Sequence, residues 1–147
     1  MAPPGGTVRN PPEEDAVLTT TTPIAFLPSS DLERSRHFYA GVLGLTLEEV
    51  TPFAVVLRAG PIMLRVTEAG SFRPQPFTVF GWQVADLRAE AARLRSAGVS
   101  LTVYDGMGQD DDGIWTTPGG DRVTWFSDPD GNTLSLTEFT GSHQLQS

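Results

Sequence analysis

The sequence predicts an α+β domain built from two βαβββ modules in tandem, and three observations carry that expectation. A short apolar run ending in an oxygen-bearing cap and an Asp-Leu pair occurs twice, at Ser30-Asp31-Leu32 and at Ala85-Asp86-Leu87, offset by 55 residues (86 minus 31). Each pair is followed by one stretch of helical periodicity and then by three runs of strand character. Each such unit leaves one sheet face uncovered, so two must associate to bury their edges.

In chain order, residues 1–21 hold Pro3-Pro4-Gly5-Gly6, Pro11-Pro12, Glu13-Glu14-Asp15 and a Thr run, too little apolar surface to offset ordering entropy. They are expected to form a flexible tail, with Ala16-Val17-Leu18 its one segment able to dock. The folded domain is expected over 22–139, as modules of about 22–70 and 77–139, with 140–147 as a second tail. Pro23-Ile24-Ala25-Phe26-Leu27 opens the first module, and Ser29-Ser30-Asp31 offers caps for a helix over 32–43, whose apolar face is Leu32, Ser35, Phe38, Tyr39, Val42 and Leu43. Gly44 stops it. Strands follow over 45–50, 53–58 and 62–67. The second module repeats the pattern: a strand over 77–84, a helix over 87–97 stopped by Gly98, the segment 100–104 and a loop holding 108–113, then strands over 114–117, 122–126 and 133–138.

Composition narrows the function. The chain of 147 residues has no room for a second full domain and no Cys, which excludes disulfides, thiolate nucleophiles and sulfur-ligated metal sites. Its positive charge is all Arg, with no Lys, and the net charge of −8 has the wrong sign for a nucleic acid or an anionic membrane. No apolar run approaches the ~20 residues that cross a bilayer, and no basic-then-apolar leader opens the chain. A cytoplasmic protein is expected, with no nucleic-acid or membrane partner.

Three segments, Asp31-Leu32-Glu33-Arg34-Ser35-Arg36-His37-Phe38-Tyr39, Val42-Leu43-Gly44 and Asp128-Pro129-Asp130-Gly131-Asn132, resemble the vicinal oxygen chelate superfamily of glyoxalase I, bleomycin-resistance proteins and extradiol dioxygenases. The resemblance spans about 23–139. It implies mixed sheets curled into a cup, helices on the convex side, and two chains pairing to complete each cup. It also implies a divalent metal held by His or Glu on the first and last strands of each module. At the matching positions this chain has Ile24, Val79, Ser135 and Leu64 or Arg65, a set without carboxylate or imidazole. The usual metal site is expected to be absent, with no cofactor.

Other candidates are weaker. Gln109-Asp110-Asp111-Asp112 lacks the spacing of a calcium loop and reads as a solvated loop; Asp128-Pro129-Asp130-Gly131-Asn132 has the residues a turn requires. His37 falls off the apolar stripe of its helix, His143 has no visible partner, and no Ser/His/Asp arrangement appears, so no catalytic residue is assigned. Strand alternation puts Ile24, Phe26, Val79, Gly81 and Gln83 toward the cup, with Ala25, Leu27, Phe80 and Trp82 under the helices. Trp115, Trp125 and Phe53 either stack a planar ligand there or belong to the sheet core. Arg58 and Arg65 are costly on a sheet unless an anion meets them; Arg65, the better cavity candidate, either pairs with Glu68 or Glu138 or holds a ligand carboxylate or phenolate.

The favoured expectation is a metal-independent binding protein of the glyoxalase/bleomycin-resistance type, a homodimer sequestering an aromatic or amphipathic small molecule through Ile24, Phe26, Arg65, Val79, Gln83, Trp115, Trp125 and Ser135. The alternative is a lyase, isomerase or dioxygenase-like enzyme acting on a small carbonyl or aromatic substrate, either with a displaced metal site or without metal through Arg65, Tyr104 or Glu138. A third is a protein whose surface serves assembly.

Overall fold

The computed structural model describes residues 17–141; the expected tails fall largely outside these, at 1–16 and 142–147. A single helical turn, α1 (Val17–Thr20), precedes the first module, and Leu18 on it is exposed rather than docked. That module comprises β1 (Ile24–Ser29), α2 (Leu32–Arg36) running on as a π-helical stretch (His37–Val42), β2 (Thr46–Val50), β3 (Ala54–Ala59) and β4 (Ile62–Glu68). The second comprises β5 (Thr78–Gln83), α3 (Leu87–Ser96), β6 (Trp115–Thr116), β7 (Arg122–Ser127) and β8 (Thr133–Glu138). Each module forms a four-stranded mixed sheet, ordered β1-β4-β3-β2 and β5-β8-β7-β6, with one parallel pair, β1/β4 or β5/β8. The architecture is the α+β fold with curled sheets that the sequence predicts.

Both helices begin as the Asp-Leu pairs dictate. Asp31 and Asp86 have extended backbones, and their carboxylates accept from the N–H groups of Arg34 and Ala89, both at 3.1 Å. Each cap is worth about 1 kcal/mol. The first helix does not stay regular to residue 43, because from His37 its turns widen and the Leu43 N–H donates to Phe38 O at 2.9 Å, a five-residue step. That wider turn accompanies the burial of both Phe38 and Tyr39, adjacent in sequence, while His37 stays on the surface.

One face of each sheet lies under helices. Leu27, Val55, Leu57, Leu64 and Val66 of the first sheet and Phe126, Leu134 and Leu136 of the second join Phe38, Tyr39, Leu87 and Ile114 in one core. Phe80 and Trp82 pack against it, as alternation along β5 requires.

The segment 100–104 pairs with the second sheet through one bridge, Leu101 to Phe126, and one bond from Thr102 N–H to Trp125 O at 2.7 Å. The Gln109 side chain takes the remaining backbone groups: its amide nitrogen donates to Thr102 O and Gly113 O, and its oxygen accepts the Tyr104 N–H. A side chain thus replaces a strand partner. The acidic loop is likewise more ordered than a solvated run, since Arg88 bridges Asp110 and Asp112. The Ile114 N–H, outweighing partial burial, and then the Arg88 guanidinium hold the Asp110 carboxyl below the usual range.

The Asp128–Asn132 segment is the turn its residues demand, closed by bonds from Asp128 N–H to Asn132 O and from Gly131 N–H to Asp128 O. Gly131 has φ +91°, and a Cβ there would lie 3.0 Å from Pro74. The turn also clasps the first module. Asp130, its side chain only 2% exposed, accepts from Ser30 N–H at 3.0 Å and from Arg34 at 2.8 Å; Asn132 donates to Pro28 O at 3.0 Å; Tyr39 donates to Asp128 at 2.6 Å. Burial, then the charge of Asp128, pushes the Tyr39 phenol far up, so it stays protonated and acts as a donor.

Candidate functional site on the open sheet faces

Helices cover one face of each sheet, and strand register fixes what stands on the other. On the first sheet, one row across the strands is Phe26, Arg65 and Val56, and the next is Ile24, Met63 and Arg58. Phe26 is 61% and Ile24 48% exposed, both on β1 at the edge of that sheet. Arg58 reaches sideways to Glu48 at 3.0 Å on the neighbouring strand. Leu64 is buried under the helices, so of the two residues that could hold the fourth metal position only Arg65 stands on the open face.

On the second sheet the corresponding row is Gly81, Ser135 and Trp125, flanked by Gln83, Thr137, Val123 and Trp115. Gly81 lies 55 residues after Phe26 (81 minus 26), so the repeat places a bare backbone where the first module has a protruding ring. Gly81 is required there, because a Cβ would sit 2.4 Å from the Ser135 hydroxyl and 3.0 Å from its carbonyl oxygen. Trp115 and Trp125 stack with centroids 6.1 Å apart, and Tyr104 meets Trp125 edge-on at 5.4 Å. This rank of three rings stands beside Gly81, where the Ser135 hydroxyl fills the place that a side chain would take. Trp82, by contrast, lies on the helical side, stacked on Phe126.

The structure thus groups the expected ligand-binding residues into two sets: Ile24, Phe26 and Arg65 on one sheet, and Val79, Gln83, Trp115, Trp125 and Ser135 on the other. Within one chain no hydrogen bond, ion pair or ring contact among the described residues joins the sets. A cavity of about 210 Å³ sits on the helical side among Leu43, Leu45, Trp82, Leu94 and Phe126, and Gln83 alone of the expected residues borders it. Sequence reasoning did not assign Tyr104 to ligand binding. Its signal was available only through Gln109, which pins the Tyr104 backbone beside Trp125.

The polar candidates sort clearly. Neither expected internal partner reaches Arg65: Glu138 accepts the Leu87 N–H at 2.8 Å and faces Arg122 at 3.8 Å, and Glu68 accepts the Gly70 N–H at 3.0 Å. Glu138 is therefore committed to capping the second helix rather than to acid–base chemistry. At the positions of a family metal site stand hydrocarbon, a hydroxyl and a guanidinium, which offer a divalent ion no anionic donor. Among the described residues no three His, Asp or Glu side chains cluster to hold one. The residues present do not fit the metal.

A chain of two βαβββ modules, each a curled sheet carrying its helices on one side, is of a paired-module α+β class. Residues 20–136 match the model of the Glyoxalase/Bleomycin resistance protein/Dioxygenase superfamily, and the chain belongs to that family. Among solved structures it is similar to a lactoylglutathione lyase from Agrobacterium tumefaciens, with 18% identity, TM-score 0.65 and coverage of 81% of this chain and 93% of that one. It is also similar to a glyoxalase/bleomycin resistance protein/dioxygenase from Nocardioides, with 18% identity, TM-score 0.64 and coverage of 95% and 93%. TnmS3, an antibiotic binding protein from Streptomyces sp. CB03234, shares 25% identity at TM-score 0.61, covering 82% of this chain and 97% of that one. No curated protein matches the sequence. No helix among the described residues is long and apolar enough to cross a membrane.

Proposed function

We propose that this protein is a metal-independent binding protein that sequesters an aromatic or amphipathic small molecule on the open sheet faces. The observation that carries this reading is the Tyr104–Trp125–Trp115 rank on the open side of the second sheet. Flat ring faces suit a planar guest, and each ring stacked on it contributes about 0.5–1.5 kcal/mol beyond area burial. Ile24, Phe26 and Val79 supply apolar wall, Gln83 and Ser135 hydrogen-bonding groups, and Arg65 a charge. The two sets lie on separate sheets, so two cytoplasmic chains pairing open face to open face would close one cup around the guest. The antibiotic-binding relative of similar fold supports a binding role.

The test is a fluorescence titration of the full chain with planar aromatic metabolites and antibiotics. Guests on Trp115 and Trp125 quench emission, and Trp125→Ala weakens binding by about tenfold, a stacking contribution near 1.4 kcal/mol. A flat response across the whole panel refutes the reading. So does a stoichiometric divalent ion in protein purified without chelator, measured by elemental mass spectrometry, because it restores the enzyme alternative.

A further inference from the structure

The ion-pair pattern singles out one cation. Among the described residues Arg34, Arg36, Arg58, Arg88, Arg93, Arg95 and Arg122 each lie against a carboxylate. Arg65 and Arg73 do not, and Arg73 is exposed on the connection between the modules, where water meets its charge. Arg65 is different. It is half-buried on β4, an interior strand, set in register between Phe26 and Val56, with Glu68 and Glu138 committed elsewhere. The next residue along that row is Glu49, two strands away at about 10 Å by sheet spacing.

We infer that the guest is an aromatic anion, a planar molecule bearing a carboxylate or phenolate that Arg65 holds while the Trp rank stacks its ring system. This inference rests on the binding role proposed above and specifies its ligand. The physical argument is one of discrimination. In the open protein, water solvates the exposed part of the guanidinium. A neutral planar guest laid over this face removes that water and returns nothing, leaving an uncompensated cation among Phe26, Ile24 and Val56. An anion returns two charge-assisted hydrogen bonds in the fork geometry that guanidinium prefers. The site therefore selects for charge by penalising its absence. Net charge works the other way, since a chain at −8 repels anions at long range. One unpaired guanidinium inside the binding face overcomes that repulsion only at contact, so the effect belongs to affinity rather than to association rate.

The experiment is calorimetric titration of the full chain with matched acid and amide pairs: benzoate and benzamide, 2-naphthoate and 2-naphthamide, anthracene-2-carboxylate and its carboxamide. In the unmodified protein the acid of the best-fitting pair binds at least tenfold tighter than its amide. Arg65→Gln removes that preference, weakening the acid and tightening the amide, Arg65→Lys keeps part of it, and Trp125→Ala weakens both members alike. Equal affinity for acid and amide in the unmodified protein overturns the inference without needing any variant, and so does a preference that survives Arg65→Gln. In both cases the binding role stands. If no acid and no amide binds, the proposed function itself fails and the inference with it.

Discussion

Replacing Tyr39 by Phe isolates the bond that joins the modules at their most buried point. Tyr39 is 0% exposed and its hydroxyl donates to Asp128 Oδ2 at 2.6 Å, while Asp128, 4% exposed, also accepts from Asn132 Nδ2 at 2.8 Å. Phe keeps the ring, its edge-on contact with Phe38 and nearly all the volume, so cavity formation contributes little. What is lost is a hydrogen bond to a charged acceptor, worth about 1.5–3 kcal/mol. The carboxylate keeps its bonds from Asn132 and from the turn N–H groups, which holds the loss near the lower half of that range. At about 2–4 °C per kcal/mol for a domain of this size, the melting temperature falls by roughly 3–8 °C. Urea unfolding followed by Trp fluorescence reads the same quantity, with an unchanged slope confirming that only native-state stability moved. A loss below about 0.5 kcal/mol refutes the reasoning, because it means that the clasp is not held at this bond.

Other outcomes follow from the same geometry. Asp130 is buried, which by itself opposes its charge, but Ser30 and Arg34 outweigh this and hold the carboxyl below its usual value. Its stabilisation is therefore present above the ordinary carboxylate range and is lost as pH falls through that lowered value; the urea-midpoint gap between the unmodified protein and Asp130→Asn is full at neutral pH and closes in acid. Gly81→Ala costs about 1–3 kcal/mol by thermal melting, and less when Ser135→Ala removes the hydroxyl that the new methyl meets. Light scattering reports about twice the 15.8 kDa chain mass, and a clean monomer refutes pairing of open faces.

The repeat was legible because its signals are local: a capping Asp, a helical stripe and a stopping Gly recur at one spacing, and the alternation in β1 and β5 fixes which side chains meet the helices. The widening of α2 at His37 was not, since regular spacing already put Phe38 and Tyr39 near one face and only the packing shows how the backbone yields to bury both. The 100–104 segment is tied in through a glutamine several residues on, a partner that no strand or turn pattern announces. Arg65 shows the limit most clearly. Whether Glu68 or Glu138 reaches it depends on the Gly70 amide and the start of α3, contacts that no spacing rule encodes. Trp115 and Trp125 could be placed on strands, but their side of the sheet waited on the register of β6, β7 and β8.

The clasp around Asp128 and Asp130 engages the end of β1, the start of α2 and the turn between β7 and β8, away from every residue proposed to touch the guest. Scaffold integrity and guest preference are thereby assigned to different parts of the molecule. Under the proposed binding role, exchanges at Phe26, Arg65, Gln83 or Trp115 retune what is recognised while the bonds between the halves stay as they are, a partition that lets one architecture diversify its cargo without re-solving its own folding problem.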